Sequence, residues 1–173
     1  MTNRMLLLVA CVGTLVTTAQ ASQSRSTFDP VPPRPYIDKG ACPFECCTYR
    51  DWTASEEIAL VDQPNGKRVV TLIHKGEKVQ ALTGEVHSIP LRVVAGQDHP
   101  DAGVKRGDVI YILHYIGEGY WKVWHGGQLI EIDNFSDKGS YPEYTWWVKV
   151  KTTSGIVGWT TSHGNFSNQD ACG

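Results

Sequence analysis

Three of the chain's five cysteines fall within the run Gly40-Ala41-Cys42-Pro43-Phe44-Glu45-Cys46-Cys47, and a fourth, Cys172, stands next to the last residue. No other feature limits the fold as much, because covalent bonds among these four would join the start of the folded region to its end. A zinc site wants paired spacings such as Cys-x2-Cys twice, which Cys-x3-Cys-Cys with one distant cysteine does not supply. In an oxidising compartment an even set of four forms two disulfides. Pairing Cys46 with Cys47 would need a strained vicinal ring. One of those two is therefore expected to pair with Cys42 and the other with Cys172, with the choice between them left open. The long bridge stabilises by about 4–5 kcal/mol in the chain-entropy model.

The oxidising compartment is itself read from residues 1–21. Arg4 supplies a positive start, Met5 to Val16 an apolar core, and Ala19-Gln20-Ala21 a small-x-small cleavage site. The expected location is periplasmic or secreted. The apolar run is too short for a membrane-spanning helix, so no membrane insertion is expected. A rival reading takes Leu8-Val9-Ala10-Cys11 as a lipobox with an acylated Cys11. The brevity of the apolar run before Cys11, and its continuation afterwards, weigh against it. The 16 basic and 18 acidic residues nearly cancel, which argues against a nucleic-acid partner.

Residues 22–37 are rich in Ser and Pro and read as an extended or disordered leader, with folded structure starting near Asp38. Beyond Trp52, short apolar alternations are punctuated by turn formers such as Pro64-Asn65-Gly66, Lys75-Gly76, Gly117-Glu118-Gly119 and Gly126-Gly127. This is the pattern of an all-β chain. Nine strands are expected: Glu57 to Val61, Arg68 to Ile73, Lys78 to Leu82, Leu91 to Val94, Val109 to Tyr115, Tyr120 to Trp124, Gln128 to Asp133, Thr145 to Lys151 and Ile156 to Thr160. A faint repeat relates Lys75-Gly76-Glu77-Lys78-Val79, then Leu82, to Arg106-Gly107-Asp108-Val109-Ile110, then Leu113. It suggests two units, residues 38–103 and 104–173.

Tyr120-Trp121-Lys122-Val123-Trp124, Trp147-Val148-Lys149-Val150 and Gly155-Ile156-Val157-Gly158-Trp159, together with the two basic-Gly strand entries, resemble the bacterial SH3-like domains of secreted and cell-envelope proteins. The resemblance covers Trp52 to Thr161. It implies one or two small SH3-like β-barrels, with a disulfide-linked N-terminal lead-in and C-terminal tail. It also implies a non-catalytic binding module for cell-wall glycan or peptide. The second reading is an interaction or inhibitor module docking on an envelope protein partner, and a small envelope hydrolase is a remote third. No cofactor and no metal are expected.

Alternation places Trp121 and Val123 on one face of their strand and Tyr120 and Trp124 on the other. Tyr120, Trp124 and Trp146 are the aromatic residues expected to be exposed and to contact ligand. None of the six histidines, His74, His87, His99, His114, His125 and His163, has a partner at metal-ligand or general-base spacing in sequence. Asp98-His99-Pro100-Asp101 reads as a polar turn. Ser162-His163-Gly164-Asn165 resembles the Ser-His-Gly-Cys run of cell-wall L,D-transpeptidases, but Asn165 replaces the nucleophile. Asp170-Ala171-Cys172 resembles the opening of cell-wall cysteine peptidases, yet no chain follows to supply a His. No catalytic residue is assigned. Asn134-Phe135-Ser136 and Asn165-Phe166-Ser167 match the glycosylation sequon and are read as loop sequence.

Overall fold

The computed structural model describes residues 30–133, 135 and 140–172. Residues 1–29, on which the signal-sequence and lipobox readings and part of the leader reading fall, lie outside the described residues. Among the described residues, twelve strands form two antiparallel sheets. The first contains β1 (Tyr36–Lys39), β2 (Asp51–Ala54), β3 (Ile58–Val61), β4 (Val69–Ile73), β5 (Lys78–Ile89), β10 (Glu143–Thr152), β11 (Val157–Thr160) and β12 (Phe166–Ser167). It runs β12-β2-β5-β10-β11-β3-β4 and curls into a half-barrel, with β1 also pairing β5. The second sheet runs β6 (Leu91–Val94), β7 (Val109–Gly117), β8 (Tyr120–His125) and β9 (Gln128–Asp133). Among the described residues no helix is long and apolar enough to cross a membrane.

All nine expected strands form. The third is longer than expected, because β5 runs on to Ile89 and pairs β10 along its length. Its other edge is shared by β2 at Lys78 to Gln80 and β1 at Glu85 to Ser88. The sheet therefore begins at Tyr36, inside the segment read as leader. The sequential division between residues 103 and 104 does not separate the sheets. The chain makes β6–β9 as an excursion between β5 and β10, and then returns to complete the first sheet.

Within this nested arrangement the faint repeat is realised atom by atom. In the first copy the Ala54 amide donates to the Glu77 carbonyl and the Gly76 amide to the Ala54 carbonyl; in the second, Ala95 and Asp108, then Gly107 and Ala95, do the same. Gly76 and Gly107 both take positive φ, at 85° and 96°, where a Cβ would be strained. The acidic side chain caps the turn in each, Glu77 accepting from the His74 amide and Asp108 from the Lys105 amide. Even the irregularities match. Leu82 is the extra residue where β5 slips against Lys149 and Val150 of β10, and Leu113 is the extra residue where β7 slips against Lys122 and Val123 of β8.

Each sheet buries its own apolar cluster. Trp52, Ile58, Leu60, Val86, Val148 and Phe166 belong to the first, and Val93, Ile110, Ile112, Val123 and Ile132 to the second. At the seam the fully buried His114 of β7 bonds through Nε2 to Asp38 of β1 at 2.8 Å and through Nδ1 to the Tyr115 carbonyl at 2.9 Å. Both partners are acceptors, so the trio is satisfied only with a proton on each side of the ring or one on Asp38.

The cysteines resolve the open pairing as Cys42–Cys47 and Cys46–Cys172. The first closes a tight loop around Pro43-Phe44-Glu45. The second spans 126 residues, and beside it the Ala171 amide donates to the Cys46 carbonyl while Cys47 bridges Asp170.

Gly84 is where this lead-in meets the sheet. A Cβ added there would lie 2.8 Å from the Ala41 carbonyl and collide with the Trp146 indole nitrogen and the Tyr49 hydroxyl. Gly84→Ala is expected to destabilise by roughly 1–3 kcal/mol, the usual cost of overpacking, and to loosen residues 41–47 ahead of the sheets. Hydrogen exchange on the variant checks this: unchanged protection of the Gly40 amide, which donates to the Gly84 carbonyl, would contradict it.

Candidate binding site

Phe44, held inside the Cys42–Cys47 loop, forms a wall of two neighbouring clefts. The first, of about 330 Å³, is lined by Pro43 and Phe44 from the loop, Tyr144, Thr145 and Trp146 from β10, and Thr161 and His163 beyond β11. The second, of about 440 Å³, joins Phe44 and Glu45 to Ile116, Gly117, Glu118, Tyr120 and Glu131 of the second sheet.

The first cleft is aromatic and carries no carboxylate or ammonium in its lining. Phe44 meets Trp146 edge-on at 5.7 Å between centroids, and the His163 ring lies 4.6 Å from Trp146. The Trp146 indole N–H donates to the Ala41 carbonyl at 3.1 Å. Behind it, burial pushes the Tyr49 hydroxyl up to about 12, despite an opposing hydrogen bond with Trp146. Burial also raises Tyr144, with a smaller push from Tyr115, and lowers His163 below the ordinary imidazole value. At neutral pH the cleft therefore presents a phenol, hydroxyls and a neutral imidazole. The second cleft differs in charge: among the described residues Glu45 and Glu118 form no ion pair, while Glu131 takes Lys122 at 3.0 Å.

Of the three aromatic residues expected to contact ligand, Tyr120 is exposed at 45 % and borders the second cleft. Trp146 is corrected: it is 4 % exposed and belongs to the first core. It shares a strand face with the fully buried Val148 and Val150, so it reaches the first cleft by one edge only. Trp124 lies outside both clefts. Its indole N–H donates to the Pro30 carbonyl and its ring lies 6.1 Å from Tyr36, so the start of the described chain packs against it and leaves it half-buried. Trp121 packs on the second core as its alternation with Val123 requires, against Phe135 at 4.8 Å and Tyr115 at 5.3 Å.

Sequence reasoning missed Phe44, Tyr144 and His163 as cleft residues. Phe44 had a signal, being an apolar residue trapped between bonded cysteines; Tyr144 and His163 had none. Five histidines have carboxylate partners: His74 with Glu57, His87 with Glu85, His99 with Asp133, His114 with Asp38 and His125 with Asp108. Asp98-His99-Pro100-Asp101 is a polar turn, the Asp98 carboxylate accepting from the Arg106 amide and Pro100–Ala102 forming a 3₁₀ turn. Glu45, Cys46 and Cys172 gather closely enough to hold a metal. The two sulfurs are bonded to each other, however, and offer no thiolate.

The chain matches no protein-family model, and no curated protein or solved structure is significantly similar to it.

Proposed function

We propose that the protein is a non-catalytic binding module of the cell envelope, made of two SH3-like units with the second inserted into the first. The first cleft takes an uncharged, hydroxylated ligand such as a cell-wall sugar ring. The observation that carries this reading is the cleft's lining: the rings of Phe44 and Tyr144 and an edge of Trp146 beside the hydroxyls of Thr145 and Thr161, with no charged group among them. Flat apolar faces edged with hydroxyl donors and acceptors suit a pyranose ring better than an ion. Two internal disulfides support an oxidising, extracytoplasmic setting. The SH3-like reading draws on the order β12-β2-β5-β10-β11, in which the last strand returns beside the first of the five, after the 3₁₀ turn His163–Asn165. It draws equally on the matched turns and bulges of the two units.

The test is co-sedimentation with purified peptidoglycan. Tyr144 is 40 % exposed on the cleft rim, so Tyr144→Ala is expected to weaken retention while leaving thermal unfolding nearly unchanged. Loss of one aromatic contact, about 0.5–1.5 kcal/mol, corresponds to roughly two- to tenfold weaker binding. Retention equal to that of the unaltered protein would refute the cleft as the site.

A second reading, docking on a protein partner, is favoured by strand β4. It lies at the edge of the first sheet and exposes Val69 at 54 % and Leu72 at 46 %. Val69→Ser with Leu72→Ser would abolish capture of such a partner and leave peptidoglycan retention intact.

A further inference from the structure

We infer that His163 makes the first cleft a proton-gated site, which holds its uncharged ligand while the imidazole is neutral and releases it on acidification. The inference rests on the cleft reading above and adds its regulation. Three features of the geometry point to it. His163 lines the cleft with its ring against Trp146. Its backbone is fixed, because the Gln169 side chain donates to the His163 carbonyl and the residue opens the 3₁₀ turn His163–Asn165. Finally, no carboxylate lines the cleft to pair with an imidazolium.

The surrounding groups can be taken element by element. The lead-in presents Pro43 and Phe44, which do not titrate. Strand β10 presents Thr145, Trp146 and the Tyr144 phenol, which burial holds protonated well above neutral pH. The chain after β11 presents Thr161, and the segment after β12 presents the neutral amide of Gln169. The other five histidines each have a carboxylate within hydrogen-bond or ion-pair reach, and His163 alone has none among the described residues. A neutral ring offers the ligand one donor and one acceptor. An imidazolium offers two donors, loses the acceptor, and brings an unpaired charge into a half-buried aromatic cleft. Burial favours the neutral form here, in the direction desolvation dictates.

If ligand binds only the neutral form, affinity is level above the His163 midpoint and falls toward tenfold per pH unit below it. The experiment measures peptidoglycan retention from about pH 8 down to about pH 4.5, a range that brackets the ordinary imidazole value, for the unaltered protein and for His163→Gln. Whatever the substitution does to retention at neutral pH, the fall on acidification is expected in the unaltered protein and absent in the variant. A level profile in the unaltered protein, or the same fall in both, overturns the gate. NMR titration of the His163 ring and the Trp146 indole separates this failure from failure of the binding reading. A His163 midpoint below the free-imidazole value, with the indole signal following it, sustains the gate even if peptidoglycan proves to be the wrong ligand. A midpoint at or above that value, or an indole that does not respond, overturns it.

Discussion

Replacing Cys172 by Ser is expected to lower the unfolding free energy by about 5 kcal/mol, against about 2 kcal/mol for replacing Cys42 and Cys47 together. The difference comes from loop length: the bridge to Cys172 spans 126 residues and the Cys42–Cys47 bridge spans 5. In the chain-entropy model the denatured state gains far more freedom when the longer loop opens. Loss of Cys172 also frees the segment whose Ala171 amide and Asp170 bridge hold the lead-in. The order should reverse for binding. The small loop carries Phe44, a wall of both clefts, so its removal should weaken peptidoglycan retention more than its effect on stability suggests. Urea unfolding of both variants, with non-reducing peptide mapping of the unaltered protein, checks the first part. Equal losses, or recovery of Cys46 and Cys172 as free thiols, would refute it.

Trp52→Ala is expected to cost about 3–5 kcal/mol, the range for truncating a fully buried large aromatic. Trp52 is completely buried at the meeting point of three aromatic neighbours, Phe166 at 5.5 Å, Tyr49 at 6.0 Å and Trp146 at 6.3 Å. Its indole N–H donates to the Thr48 carbonyl at 3.0 Å. The cavity left behind would be walled by β2, β12 and β10, and the lead-in above it would lose its floor. Binding should suffer with stability here, unlike at Tyr144, because Trp146 would lose support on its buried side. Thermal unfolding is the measurement, and a shift no larger than that of Tyr144→Ala would mean that Trp52 does not anchor this core.

The amino-acid sequence by itself determined nine of the twelve described strands and the turns that punctuate them; β1, β2 and β12 were not legible in it. Alternation along Lys78 to Leu82 or Tyr120 to Trp124, ended by glycines that tolerate positive φ, is written within a few residues and needs no distant partner to be read. The two basic-Gly-acidic turns were legible for the same reason. So was the restriction of the cysteines to two possible pairings. The repeated Asn-Phe-Ser was visible as letters but not as packing: Phe166 fills the first core and Phe135 lies against the second, a role that depends on which strands surround each ring.

Tertiary structure alone decided which strands are neighbours. Pairing β5 with β10 sets Val79 to Ile89 against residues more than fifty positions later, and no local pattern reports a contact whose loop-closure cost is offset only by the assembled sheet. For that reason Gly155-Ile156-Val157-Gly158-Trp159, which follows the second basic-Gly turn in sequence, closes the first sheet instead. There Gly158 leaves room for Leu60 and Val70 at distances a Cβ would violate. The same nesting buries Trp146 and brings Phe44, Tyr144 and His163 around one cleft. Their convergence is a property of the nested path of the chain, since nothing in their separate sequence neighbourhoods refers to the others.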